Sequence, residues 1–345
     1  MRLAVVITLL LAALAWFYSA RSIDAPRTPY ASRRTPQPAS NAHPRAALPS
    51  VVPDVVASLP RRLAALGWGK GAEQVGRRSE PESAHEGPMA IALGRDGSLF
   101  ILDQVNGRVL RREANGSFAA PIAVRATAQD IRADGAGIAV LDRLGAQTLQ
   151  RFDRDGRSLE ERPLSAYGVA QAGGTTGLFD DAEGALFIEE SLAGQGRRVV
   201  HGLSGEVLAG RPSHGSDSLV TAAITQRAAG DLEVRGMARD GTVRFTSPLS
   251  VGRAILSIAL VDPDREGRIY VGVIDAVQEG PDATDEQLDL FRLSEDGALM
   301  ARTSVTHRPS ELERFRELAV GESGVVTWMH PMPDDSGMAI DQIAF

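Results

Sequence analysis

The chain has 345 residues, enough for two ordinary domains or for one large β-propeller or sandwich. With 43% hydrophobic and 23% charged residues, 35 Gly and 19 Pro, it is a turn-rich globular composition, which excludes collagen, wholesale disorder and a polytopic membrane protein. It has no Cys, which removes disulfide frameworks, thiolate metal sites and Cys nucleophiles, and its net charge is +6 through Arg62 and −13 beyond it. An acidic body without a basic stripe is not expected to have a nucleic-acid partner.

Residues 1–22 read as a signal peptide or membrane anchor. The apolar run LAVVITLLLAALAWFYSA, residues 3–20, is the expected membrane attachment. Its length falls between the core of a cleavable signal, roughly 7–15 residues, and the roughly 20 needed to span a bilayer. Trp16, Phe17 and Tyr18 resemble an interfacial belt, which favours an anchor over cleavage after Ser22. Arg21, Arg27, Arg33, Arg34 and Arg45 follow the run and oppose export by the positive-inside tendency. A short N-terminal apolar segment followed by a spacer nevertheless favours an extracytoplasmic, periplasmic body, either anchored or secreted. Residues 23–54 hold seven Pro and few apolar residues, the pattern of a disordered Pro/Arg-rich linker. In residues 55–71, Val55, Val56, Leu59, Leu63 and Leu66 recur at helical spacing and predict a short amphipathic helix interrupted by Pro60.

From residue 72 to Phe345 a repeat appears. Alternating strands follow turn glycines in RDGSLFILD, GAGIAVLD, AEGALFIEE, AGDLEVRG, REGRIYVGV and ESGVVTWM. The glycines, Gly97, Gly135, Gly184, Gly230, Gly267 and Gly324, recur at a mean spacing of about 45 residues, the length of a four-stranded propeller blade. Each unit begins with a short apolar strand (MAIALG, QDIRAD, TTGLFDD, VTAAIT, LSIALVD, ELAVG). Third strands follow in RVLRRE, TLQRFD, RRVVHG, LDLFRL and MAIDQIAF, several ending in turns such as Asn115-Gly116 or Asp296-Gly297. The sequence therefore predicts an all-β fold, a single six-bladed propeller within residues 72–345. The last blade stops at its third strand, so an outer strand must come from elsewhere to avoid an open edge, and AEQVGRRS, residues 72–79, is the expected donor. One local helix is expected at PSELERFREL, with Ser310 as cap and Glu313 three residues on.

The passage EGPMAIALGRDGSLFILDQVNGRVLRRE resembles the NHL-type propeller repeat. The match lies at Pro88 to Ile91, Asp96-Gly97, Ile101 to Asp103 and Asn106 to Val109. The resemblance implies a six-bladed ring around a central channel, with loop faces that most often bind proteins or peptides. Glu86-Gly87-Pro88 also resembles the opening motif of gluconolactonase-like propellers, where a Glu, two Asn and an Asp hold a divalent metal that acts on a lactone. The only Asn residues here are Asn41, Asn106 and Asn115, so no later blade supplies those Asn ligands.

Other chemistry is sparse. The six His are scattered, with no HExxH spacing, and no GxSxG elbow, P-loop or dinucleotide fingerprint is present. No catalytic residue, metal site or cofactor is assigned. The acids closing the second strand of the first three units, Asp103, Asp142 and Glu189 or Glu190, are expected at one level of one propeller face. There they either recognise a cationic partner or accept backbone N–H groups of the following turn. Corresponding places in later units hold Arg235, Val273 and Met329. The candidate ligand-binding face is therefore Glu86, Asp103, Asn106, Asp142 and Glu189. The expected function is a non-catalytic scaffold for a protein, peptide or other ligand, and the alternative is a metal-dependent lactonase or hydrolase.

Overall fold

The computed structural model describes residues 60–79, 85–135, 137–181, 183–192, 197–213, 218–278 and 284–345. The apolar run of residues 3–20 and the linker of residues 23–54 lie outside the described residues. Among the described residues no helix is long and apolar enough to cross a membrane.

The chain begins with β1 (Arg61–Trp68), β2 (Gln74–Val75) and β3 (His85–Glu86). Blade one is β4 (Ala90–Leu93), β5 (Leu99–Asp103), β6 (Arg108–Arg112) and β7 (Ile122–Ala123). Blade two is β8 (Asp130–Asp134), β9 (Gly137–Asp142), β10 (Thr148–Asp153) and β11 (Ser158–Pro163). Blade three is β12 (Thr175–Asp180), β13 (Leu186–Leu192), β14 (Arg197–Gly202) and β15 (Val207–Leu208). Blade four is β16 (Arg211–Pro212), β17 (Ser218–Gln226), β18 (Asp231–Ala238) and β19 (Val243–Ser250). Blade five is β20 (Ala254–Pro263), β21 (Ile269–Gln278), β22 (Thr284–Leu293) and β23 (Leu299–His307). After β24 (Leu312–Glu313), blade six comprises β25 (Leu318–Val320), β26 (Val326–Pro331) and β27 (Gly337–Ile343), with β1 as its fourth strand. This is a six-bladed propeller.

Alternation within the strands supplies the packing. Because successive side chains point to opposite faces, each blade presents an apolar face to both neighbours. The described residues accordingly form an apolar cluster at every blade junction. Leu102, Val109 and Ile138 join blades one and two, Leu141 and Leu178 join two and three, and Phe187 and Leu219 join three and four. Val234 and Val271 join four and five, Leu290 and Trp328 join five and six, and Leu66, Ile101 and Ile340 close the ring between six and one.

Closure is of the expected kind but uses a different segment. β1 pairs antiparallel with β27, Leu66 opposite Met338 and Ala64 opposite Ile340, with a bulge at Leu63. Residues 61–68 are thus a strand and not the expected helix. The third strand β27 is buried along nearly its whole length, and its free edge stabilises an extended partner more than local helical spacing stabilises a helix. Ala64, Leu66 and Trp68 carry a period-two signal, with Leu66 fully buried and Ala64 and Trp68 packed on the same cluster. The expected donor, residues 72–79, contributes only β2, which pairs parallel with β1 and not with β27.

Two further expectations change. Gly230 (φ +80°) turns the chain between the second and third strands of blade four, so VTAAIT belongs to the second strand and AGDLEVRG to the third. The inner strand is the two-residue β16, too short to give a hydrophobic signal. PSELERFREL is extended: Leu312–Glu313 pairs parallel with His85–Glu86, and Phe315 N and Arg316 N both donate to Met89 O. Ser310 Oγ accepts from Leu312 N, a local turn and not a helix cap.

Candidate functional site

The inner strands β4, β8, β12, β16, β20 and β25 surround the channel, and a charged network divides it. Arg316, just before β25, makes a bidentate pair with Asp130 on β8 (Nε–Oδ1 2.9 Å, Nη2–Oδ2 2.8 Å) and donates to Leu178 O on β12 at 2.7 Å. Asp130 also accepts from Ile131 N and Leu178 N, so its lone pairs are well used. Arg132 on β8 pairs with Asp180 on β12 and, at 3.1 Å, with Asp262 on β20. These partners belong to blades two, three, five and six, so the charges cross-link the ring from within. Removing one member of such a buried pair leaves an uncompensated charge and costs about 3–5 kcal/mol.

The network separates two mouths of unequal size. The mouth at the ends of the inner strands, near Leu93, Asp180 and Val320, encloses only about 70 Å³. The mouth at their starts is a bowl of about 400 Å³. Blades three and four contribute Thr176, Arg198 and Arg211, residues 257–262 of β20 form another wall, and the segment 312–317 with His307 completes it. That last wall exists because the segment runs extended. Its Arg316 reaches into the channel, while Leu312 packs against Gly87, where a Cβ would meet Leu312 Cδ1 at 3.2 Å.

Two charge groups flank the bowl. On one side Arg211 grips Glu189 through Nε (2.9 Å) and Nη2 (3.0 Å) and donates Nη1 to Val261 O at 2.8 Å. Thr176 Oγ1 donates to Glu189 at 2.6 Å, and Arg198 Nη1 adds a long contact of 3.3 Å. Burial alone would raise the Glu189 carboxyl, but Arg211, Arg198 and Thr176 outweigh it and bring the carboxyl down to about 2. Arg211 and Arg316 both place their guanidinium groups over the Phe179 ring, at 3.8 and 5.0 Å.

On the other side His307 Nδ1 lies 2.8 Å from Glu286 Oε2, and His307 Nε2 lies 3.7 Å from Glu317 Oε1, too far for a hydrogen bond. Glu317 is paired with Arg314 at 3.1 Å. Burial disfavours the imidazolium, but Glu317 and Glu286 hold its pKa above the ordinary value. Burial likewise opposes ionisation of Glu317, yet His307 and Arg314 hold its pKa below the usual carboxylate value. The His307 ring stacks on Trp328, which stacks in turn on His330 at 4.0 Å.

Of the five residues expected on a ligand face, Glu189 alone pairs with side chains that line this bowl, and it is not itself on the lining. Asp103 is fully buried and accepts from Gly76 N, Asn106 Nδ2 and Arg108 Nε, each at 2.8 Å. Asn106 also donates to Gly69 O, so the pair fastens the ring-closing segment to blade one. Asp142 accepts from Thr127 and from Gly145 N of the turn that follows it. Glu190 accepts from Ala170 N, Gln171 N and His201. Glu86, on β3, is ion-paired with Arg78. Among the described residues no group of three or more His, Asp or Glu is placed to hold a metal ion.

Arg198, Arg211, His307 and the neighbouring Arg314 and Arg316 carried no sequence signature, because they come from three blades and the lead-in to a fourth. Sequence reasoning also missed an acid in blade five. β21 is ten residues long, so its buried carboxylate is Asp275, two residues past the expected Val273. Asp275 sits beside buried Asp289, with Arg253 Nε 2.8 Å from Asp275 Oδ1 and Arg302 Nε 2.9 Å from Asp289 Oδ1. Burial and then Asp289 push the Asp275 carboxyl up to about 7.

No known family profile matches the sequence, and no curated relative matches it. Solved structures do match. A member of the DUF4221 family from Bacteroides vulgatus is 10% identical, with 84% of this chain and 97% of that one covered and a TM-score of 0.47. A luciferin-regenerating enzyme is 11% identical over 75% and 91%, with a TM-score of 0.45. A putative gluconolactonase is 14% identical over 83% and 92%, with a TM-score of 0.42. These likenesses concern the fold.

Proposed function

We propose that the chain is a non-catalytic binding propeller, exported and tethered through residues 3–20, whose wide channel mouth receives a ligand or a partner's protruding segment. The observation that carries the reading is the bowl itself: about 400 Å³ in volume, within the ordinary range for ligand pockets and closed at its base by the Arg316–Asp130 network. The acids around it are engaged in ion pairs, Glu189 with Arg211 of the next blade and Glu317 with Arg314 of its own segment, which suits a rigid receptor rim.

The lactonase-type alternative requires Glu86 to leave Arg78 and converge with further oxygen or nitrogen donors on one divalent ion. Calorimetric titration with Ca²⁺, Mg²⁺ and Zn²⁺ separates the two readings. The binding reading expects no saturable site tighter than about 1 mM, a free energy of about −4 kcal/mol. Micromolar metal binding that disappears in Glu86→Gln, accompanied by lactone hydrolysis, overturns it.

A further inference from the structure

The bowl has an unequal stock of unused hydrogen-bonding capacity. Glu189 takes two bonds from Arg211 and one from Thr176, so Arg198 is its weakest-held donor, at 3.3 Å. The Arg198 side chain is 56% exposed, and its one polar contact among the described residues, to Glu189, is long. From the opposite wall, His307 contributes Nε2, buried, 3.7 Å from Glu317 Oε1 and without a hydrogen-bond partner among the described residues, in a side chain only 6% exposed. An unpartnered polar atom in a buried side chain lining a cavity is costly unless something from the cavity completes it.

Resting on the binding reading above, we propose that the wide mouth takes a monocarboxylate, with Arg198 gripping the carboxylate and His307 Nε2 donating to a second acceptor on the same ligand. The guanidinium fork matches the planar carboxylate bidentately. Asp262 also lines the bowl and, with Asp130 and Asp180, shares Arg132 and Arg316, so the guanidinium groups and a protonated His307 are matched by carboxylates and the bowl carries no surplus positive charge. The attraction is local to the Arg198 fork, and a singly charged carboxylate reaches it with less repulsion from Glu189 and Glu317 than phosphate, near −1.5 to −2 at neutral pH.

Proton linkage follows from the same geometry. Nδ1 of His307 is committed to Glu286, so Nε2 carries a hydrogen only when the ring is imidazolium. The charged and titratable groups facing that ring are Glu286 on β22, Glu317 and Arg314 ahead of β25, and His330 beyond the Trp328 ring on β26. Ligand affinity therefore falls as pH rises through the His307 titration. The carboxylate can come from a free organic acid or from the C-terminus of a peptide.

Calorimetry on the full-length protein in detergent tests this with hippurate and N-acetyl-triglycine, their C-terminal amides, and inorganic phosphate. Expected are binding of both acids, at least about tenfold weaker binding of the amides and in Arg198→Gln, and several-fold weakening from pH 5.5 to 8 that vanishes in His307→Gln. Preference for hippurate over the peptide assigns the carboxylate to a free acid, and the reverse assigns it to a chain terminus. Amides binding as well as acids, phosphate binding more tightly than either acid, a pH-independent wild type, or no binding of the acids up to about 10 mM overturns the proposal. If neutral fragments occupy the bowl while carboxylates do not, the ligand class falls and the binding reading stands.

Discussion

Asp275→Asn should stabilise the propeller above neutral pH and remove a large part of its pH dependence. Asp275 is fully buried in blade five beside Asp289, and its carboxyl is raised from 3.8 to about 7. The folded protein therefore holds a proton between about pH 4 and 7 that the unfolded chain releases. Stability from this group is complete below the unfolded value and is lost as pH rises through the folded one. At about 1.36 kcal/mol per unit, a shift of roughly three units sets a ceiling on the order of 4 kcal/mol between pH 4 and 8. Asn retains the size and a donor toward Asp289 but cannot ionise. His307, also raised, contributes a loss of the same sign that the substitution leaves in place. Urea unfolding followed by tryptophan fluorescence at pH 5, 6, 7 and 8 gives the slope of stability with pH. A wild type whose stability does not fall between pH 6 and 8, or a variant with the wild-type slope, refutes the raised Asp275 carboxyl.

Asp130→Ala strands the Arg316 guanidinium inside the channel and is expected to cost about 3–5 kcal/mol, read as a lower urea midpoint. Leu66→Ala leaves a void under the closing strand and should cost about 2–5 kcal/mol, with protection of β27 amides against hydrogen exchange reduced first. Glu189→Gln removes a carboxylate held down to about 2, so stability falls at pH 7, while acid destabilisation below about pH 4.5, where the unfolded carboxylate protonates, becomes shallower. A reporter fused after Phe345 should be active only on the extracytoplasmic side, and activity confined to the cytoplasm overturns the proposed sidedness.

The blades were legible because second strands such as β5 and β9, packed between neighbouring blades and buried on both faces, read as short apolar runs, and because hairpin glycines such as Gly97 (φ +79°) and Gly297 (φ +85°) need positive φ. Blade four was offset by one strand because β16 is only two residues long, so the first hydrophobic run encountered is already the second strand. The closing strand was mistaken for a helix because Leu63 sits at a bulge, which breaks the alternation of Ala64, Leu66 and Trp68. Individual acids such as Asp103 and Glu189 could be picked out, but not their roles. Glu189 faces Arg211 and Arg198, whereas Asp103 faces a segment some thirty residues away in sequence, and partners of that kind follow only from the closed ring. The bowl itself had no sequence signature, since Thr176, Arg198, Arg211, His307 and Arg316 meet only after five blades have been placed in order.

The central claim is that the wide channel mouth is where this protein binds its ligand. Crystals soaked with a library of small fragments of mixed charge test it without presupposing the ligand class. The account predicts that bound fragments concentrate between Arg198, Arg314 and β20, and that Ser257→Trp, which fills the bowl from its β20 wall, displaces them while the fold persists. Fragments clustering at the narrow mouth or on the outer blades, with the bowl unoccupied, would contradict it.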